Sequence, residues 1–103
     1  MPLAWNVPML AAMKAYRARL LRFAHDGSAL FDDDGLLVTG PGPAGRSVVL
    51  AAGSYAATAP AFPGVPVQHL PGRILAPGFI DLHIHYPQTD VIGSPAEGLL
   101  PWL

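Results

Sequence analysis

The spacing of apolar positions divides the chain into an ambiguous opening and a run of short strands. Met9, Met13, Tyr16, Leu20 and Phe23 recur at helical spacing, which predicts an amphipathic helix over residues 9–24. The same stretch carries a competing pattern. Tyr16, Ala18 and Leu20 alternate with Arg17 and Arg19, as in a half-buried strand, and the Leu20-Leu21 pair would then be a bulge. Local pattern leans towards the helix. Further on, strands are expected at residues 36–39, after an acidic turn at 32–35, and at residues 47–51, where Gly53 ends the element. A Gly-Pro-Gly-Pro segment at 40–43 breaks the chain between them. Residues 54–64 read as a small helical turn or loop stopped by Pro60 and Pro63. Residues 65–70 and 74–75 are further strand candidates, joined by a turn at Pro71-Gly72.

Residues 79–85 form the most sharply patterned segment, a predicted strand flanked by Pro77-Gly78 and Pro87. Ile80, Leu82 and Ile84 share one face, and Phe79, Asp81, His83 and His85 the other. Residues 97–103 read as the beginning of a helix. Five or six short strands, then one apolar strand and a helix start, close no familiar fold. The isoleucine face needs neighbours that this sequence does not supply, so the expectation is of part of a larger molecule.

Composition narrows the possibilities. The 103 residues suffice for one small domain with a modest core, and 51% apolar against 13% charged residues is a globular balance. Eleven glycines and twelve prolines favour short strands and turns over long helices. A net charge of -1 supplies no basic field for nucleic acid, and no apolar run approaches the ~18 residues that span a membrane. Without cysteine there is no disulfide framework and no thiolate metal site. The first residues lack the basic start of a secretory signal. Lys14, Arg17, Arg19 and Arg22 all precede the first acidic residue, Asp26, as in a transit peptide, but the absence of serine there counts against it.

The candidate chemistry lies in His83 and His85. Two apart on a strand, both imidazoles project to one side with Cβ atoms about 7 Å apart, a spacing compatible with one shared metal ion. Zinc accepts neutral imidazole nitrogen, and a catalytic zinc keeps one position open for water. Two histidines are an incomplete ligand set, and a bare His-x-His is also compatible with an ordinary polar strand face. His25 and His69 have no metal-like partners nearby in sequence and read as surface or turn residues.

The stretch Ala76-Pro77-Gly78-Phe79-Ile80-Asp81-Leu82-His83-Ile84-His85 resembles the signature of the amidohydrolase superfamily. That resemblance implies the first strand of a (β/α)8 barrel, with His83 and His85 as ligands of a Zn2+ ion at its catalytic end. The residues beyond it, His85-Tyr86-Pro87-Gln88-Thr89-Asp90, Ile92-Gly93-Ser94 and Leu99-Leu100-Pro101-Trp102-Leu103, look like guanine deaminase. By that likeness His85, Tyr86, Pro87, Gln88 and Trp102 would meet the substrate guanine. The Gln88 amide offers the donor and acceptor that a base edge requires. Trp102 has two readings of equal weight, lining the pocket or packing the helix. Pro101 departs from the family, which commonly has glutamate there, as does Ala44 in Ala44-Gly45-Arg46, where the family usually has an acidic residue. Asp81 could orient a ligand histidine or serve as a structural carboxylate.

The likeness extends to the start, where residues 16–23 and 34–38 are similar to the first strands of a small β-sandwich; here it favours strand over helix. The implied fold is mixed α/β: an extension over 1–15, part of a β-sandwich over 16–75, and over 76–103 the first strand and helix start of an incomplete (β/α)8 barrel. The implied reaction converts guanine and water to xanthine and ammonia. Zinc would lower the pKa of its bound water to about 7 while a carboxylate moved protons. The remaining ligands and that carboxylate belong to family strands beyond residue 103, so no catalytic residue is assigned and the isolated chain is expected to be inactive. The family also implies a cytoplasmic homodimer. Two other readings remain open: another amidohydrolase, such as a different nucleobase deaminase or a hydantoinase-like enzyme, and a small non-catalytic β module.

Overall fold

The computed structural model describes residues 7–84 together with Asp90 and Pro95. The ambiguous opening divides in two. A short helix, α1 (Val7–Ala12), ends where the Met13 N–H donates to the Leu10 carbonyl, and strand β1 (Lys14–Phe23) begins at once. The helix expected over 9–24 therefore stops at its first turns, and the alternating pattern prevails from Lys14. The reason is tertiary. β1 is an inner strand of the sheet, paired on both sides, so its backbone groups are satisfied by neighbours rather than within a helix.

The architecture is mixed α/β and mostly strand: one four-stranded sheet with short helical turns. β2 (Ala29–Pro41), β3 (Ser47–Ser54) and β4 (Val67–Leu75) join β1 in the order β3-β2-β1-β4. The β1–β2 and β2–β3 pairs are antiparallel, and β4 lies parallel to β1. The β1–β2 hairpin turns at Ala24–Ser28. The Gly27 N–H donates to the Ala24 carbonyl, and the Ala24 N–H to the Ser28 carbonyl. Gly27 has φ +85°, the left-handed conformation that a three-residue hairpin loop needs at this position. Asp26 braces the loop, its Oδ1 accepting from both the N–H and the hydroxyl of Ser28.

The acidic run expected as a turn lies inside β2 instead. From Ala18 to Leu20 two steps on β1 face three on β2, from Gly35 to Asp32, so the extra residue is a bulge within the acidic run. The irregularity foreseen at Leu20-Leu21 thus sits between Ala18 and Leu20, with the additional residue on the partner strand. Pro71-Gly72 likewise does not end a strand. β4 runs through it, with Arg17 opposite His69 and Arg19 opposite Ile74, so residues 70–73 bow out from the ladder. Proline is tolerated there because β4 is an edge strand.

Between β3 and β4, α2 (Tyr55–Thr58) and a single 3-10 turn at Ala59–Ala61 occupy the region read as a helical turn or loop. Ser54 caps α2, its Oγ accepting from the Ala57 N–H at 3.3 Å. Together with α1 these turns cover one face of the sheet. Met13, Ala15, Leu36, Val38 and Val65 are buried there, packed against Leu10, Leu50, Tyr55 and Phe62. Gly40 lets Met13 and Leu50 close over the sheet, since a Cβ at Gly40 would lie 2.6 Å from Leu50 Cδ1. Among the described residues no polar or charged side chain is buried, so this core makes no internal polar demands.

Residues 76–84 form no strand. The chain leaves β4 as an extended segment and bends at Leu82 and His83, with Phe79, Ile80 and Leu82 almost wholly exposed. The strand expected over 79–85 is thus absent over its described part, 79–84. A strand needs a partner for its N–H and C=O groups, and among the described residues none lies beside this segment. His85 and the helix start expected at 97–103 lie outside the described residues.

Candidate functional site

Pro77-Gly78 brings the signature segment out from the end of β4, next to the face of the sheet that carries no helices. On that face Leu20, Leu37, Val49, Ala52 and Leu75 line an apolar hollow of about 320 Å³, with Ala76 and Pro77 at its edge. The hollow has little means of catalysis. Its charged neighbour Arg22 is tied to Asp32 by a 2.9 Å ion pair, leaving aliphatic walls. Among the described residues its walls offer apolar contact rather than reactive groups.

Along the segment, Asp81 and His83 are exposed, and one contact between them is well formed. The Asp81 Oδ1 accepts a hydrogen bond from the His83 backbone N–H at 3.0 Å. A carboxylate that bonds the amide two residues on closes an Asx turn, which gives the backbone an alternative to strand pairing. This accounts for the bend at Leu82 and His83. The structure thus places two of the residues singled out by sequence side by side, with the carboxylate holding the histidine's backbone. His85, Tyr86, Pro87, Gln88 and Trp102 lie outside the described residues.

The donor types suit zinc, since an imidazole and a carboxylate are both ordinary ligands. In number they fall short: among the described residues there is no group of three or more His, Cys, Asp or Glu side chains able to hold a metal ion. His25 lies exposed in the β1–β2 loop and His69 exposed on β4, and neither joins two further donors in such a group.

A second polar arrangement escapes motif reading. The Arg17 guanidinium makes a two-pronged ion pair with Asp34, at 2.7 Å for each bond, and stacks over the Tyr55 ring at 3.7 Å. These three residues come from β1, the β2 bulge and α2. Hydrogen bonding to Arg17 holds the Asp34 carboxyl below its ordinary range, with smaller help from the Arg17 and His69 charges against desolvation. The Arg17 pKa is raised for the reciprocal reason. Such planar pairing and stacking suit arginine better than lysine, and here they tie the helical layer to the sheet. No short motif announces the arrangement, because its members are 17 and 21 residues apart along the chain. Cross-strand charge matching would have found it once β1 and β2 were paired.

No model of a known protein family matches the chain, and no solved structure matches it. Among curated proteins it is similar to the probable guanine deaminase of Deinococcus radiodurans, 36% identical over 100 residues that cover 88% of this chain and 22% of that protein. It is also similar to the guanine deaminase of Escherichia coli (strain K12), 46% identical over 39 residues that cover 38% of this chain and 9% of that protein. The chain therefore spans between about a tenth and a fifth of the length of these relatives. Among the described residues, no helix is long and apolar enough to cross a membrane.

Proposed function

We propose that this chain carries one part of a zinc-dependent guanine deaminase of the amidohydrolase superfamily. Residues 16–75 would supply part of its β-sandwich lobe, and residues 76–103 would open its (β/α)8 barrel. The observation that carries this reading is the similarity to two guanine deaminases, joined to the Pro77-Gly78-Phe79-Ile80-Asp81-Leu82-His83-Ile84-His85 signature. His83 and His85 would be two of the zinc ligands. Gln88 would hydrogen-bond the purine edge beside Tyr86 and Pro87, and Trp102 would close the pocket. When bound, zinc would supply an acidified water at neutral pH. The chain's own contribution would be to hold imidazole nitrogens towards the ion and to orient guanine through the Gln88 amide.

The fit is partial, because two histidines leave a catalytic zinc short of a protein ligand. The 103-residue chain is accordingly expected to release no ammonia from guanine. The intact enzyme would be a cytoplasmic homodimer acting on guanine.

A chimera gives the direct test. Residues 1–103 replace the matching region of the Deinococcus radiodurans relative, and xanthine formation from guanine is measured. The expected results are turnover by the chimera, loss of zinc and of activity in His83→Ala and His85→Ala, and a raised KM in Gln88→Ala. Full activity in both histidine variants would overturn the proposal, as would guanine turnover by the isolated 103-residue chain.

A further inference from the structure

Two apolar features stand side by side at the end of β4, and neither is covered among the described residues. One is the hollow on the helix-free face, about 320 Å³, walled by Leu20, Leu37, Val49, Ala52 and Leu75. The other is the segment that leaves its rim at Pro77, where Phe79 is 107%, Ile80 86% and Leu82 96% exposed. One exposed leucine needs no explanation, but three large apolar side chains this bare and this close mark a contact surface. Their sizes match. An apolar cavity of about 150 Å³ accepts benzene, so a hollow about twice as large takes a phenyl ring with an aliphatic side chain beside it. Charge does not oppose the match, because no charged residue lies between Ala76 and Ile80 and the hollow's Arg22 is neutralised by Asp32. The segment does not fill its own hollow. No turn interrupts residues 76–81 and Gly78 lacks the positive φ of Gly27 or Gly72, so Phe79 is carried about 7 Å beyond Pro77.

We infer that the hollow takes Phe79 and Ile80 from a second copy of this chain, in a dimer closed by reciprocal exchange of the two segments. A knob and a hole that lie far apart on one molecule generate an open chain of contacts. Here they adjoin, because Pro77 belongs to the rim and Phe79 follows two residues later. A two-fold axis beside the rim therefore brings each segment to the other copy's hollow, which fills both and leaves neither knob free. A buried aromatic side chain removes about 150–250 Å² from water, and with Ile80 and the walls covered in both copies the interface is on the order of 1,000 Å². That is the lower limit of a stable pair, so the dimer should be weak, with a Kd of about 10 µM. The inference concerns the 103-residue chain and stands apart from the deaminase reading, in which the same residues would be engaged by a barrel of their own.

Sedimentation equilibrium of the 103-residue chain gives the test, with circular dichroism confirming an unchanged sheet in every variant. The natural chain should pass from monomer to dimer with rising concentration and stop there. Phe79→Ala removes the knob and Val49→Gln makes the wall polar. Both positions are exposed, so both variants should fold as the natural chain does. Phe79→Ala should weaken dimerisation about 100-fold, since each copy loses a ring, and Val49→Gln about tenfold. A mixture of isotope-labelled and unlabelled chains then locates the contact, through nuclear Overhauser effects from the Phe79 ring of one copy to the Leu37 and Val49 methyl groups of the other. Absence of any dimer at about 1 mM would overturn the inference. Association that survives both variants would place the contact on another surface and refute it. Species that grow beyond the dimer would mean an open chain in place of closed exchange, and the inference would fall. Ring-to-methyl contacts within a monomeric chain would show each hollow holding its own segment, which equally contradicts it.

Discussion

Gly35 stands on β2 opposite Ala18, and the Leu20 side chain crosses the sheet directly over it. A methyl group at this position would clash with Leu20 Cγ, lie 2.8 Å from Leu20 Cδ1 and lie 3.1 Å from the Ala18 carbonyl oxygen. Leu20 is 3% exposed, so its displacement also disturbs buried apolar surface. Gly35→Ala should therefore act as overpacking and cost about 2 kcal/mol, within the range for inserting an atom into a filled space. Leu20→Ala alone should cost about 2–5 kcal/mol through lost burial and the cavity left behind. In the double variant the alanine methyl occupies space that Leu20 vacated, so the two penalties should not add. The expected non-additivity is about 1–2 kcal/mol in the stabilising direction, with a remainder set by the Ala18 carbonyl, which cannot move away. The assay is urea unfolding followed by circular dichroism at constant slope. Gly35→Ala should lower the midpoint by about 1–2 M, and the double variant should fall less than the sum of the singles. Strict additivity would refute the reasoning, because it would mean that Leu20 does not occupy the space above Gly35.

Burial predicts a contrast at two apolar positions. Leu36→Ala, at a site 1% exposed, should cost about 2–5 kcal/mol, while Val49→Ala, at 62% exposure, should stay within about 0.5 kcal/mol. Equal costs in urea unfolding would mean that the core does not lie where it is described. The Arg17–Asp34 pair predicts a pH dependence. Hydrogen bonding to Arg17 depresses the folded-state pKa of Asp34 below its ordinary 3.8, so its contribution is full above that value and is lost as pH falls through the depressed one. Urea midpoints measured from pH 5 to pH 2 should fall more steeply for the natural chain than for Asp34→Asn, and parallel curves would contradict the pairing.

Much of the sheet was legible because it follows local rules. The β3 strand, the proline-stopped turn after it and the apolar run into β4 were read from β-rich stretches bounded by glycine and proline. The opening was not, because Met9, Met13, Tyr16, Leu20 and Phe23 satisfy a helical period while Tyr16, Ala18 and Leu20 satisfy a strand period. The choice between them is made by β2 and β4, which lie far away in sequence. The acidic run escapes local rules for a related reason. Asp32-Asp33-Asp34-Gly35 has the composition of a turn, but Arg22 and Arg17 across the strand give Asp32 and Asp34 partners that make a bulge tolerable. The candidate site was legible as a motif in Asp81 and His83, whereas the bend between them depends on a competition for one N–H that side-chain order does not reveal.

The parallel pairing of β4 with β1 imposes an order of events during synthesis. Ala15 meets Val67, and Leu20 meets Leu75, so one edge of β1 stays open until some fifty further residues have been made. The β1–β2–β3 meander can assemble from neighbours as it emerges, but β4 must return across the whole sheet to close that edge. The signature segment begins immediately after β4. Asp81 and His83 therefore lie, in the order of synthesis, behind the pairing of the sheet with the longest range in sequence, so the chain that carries them leaves a sheet whose last edge closes late.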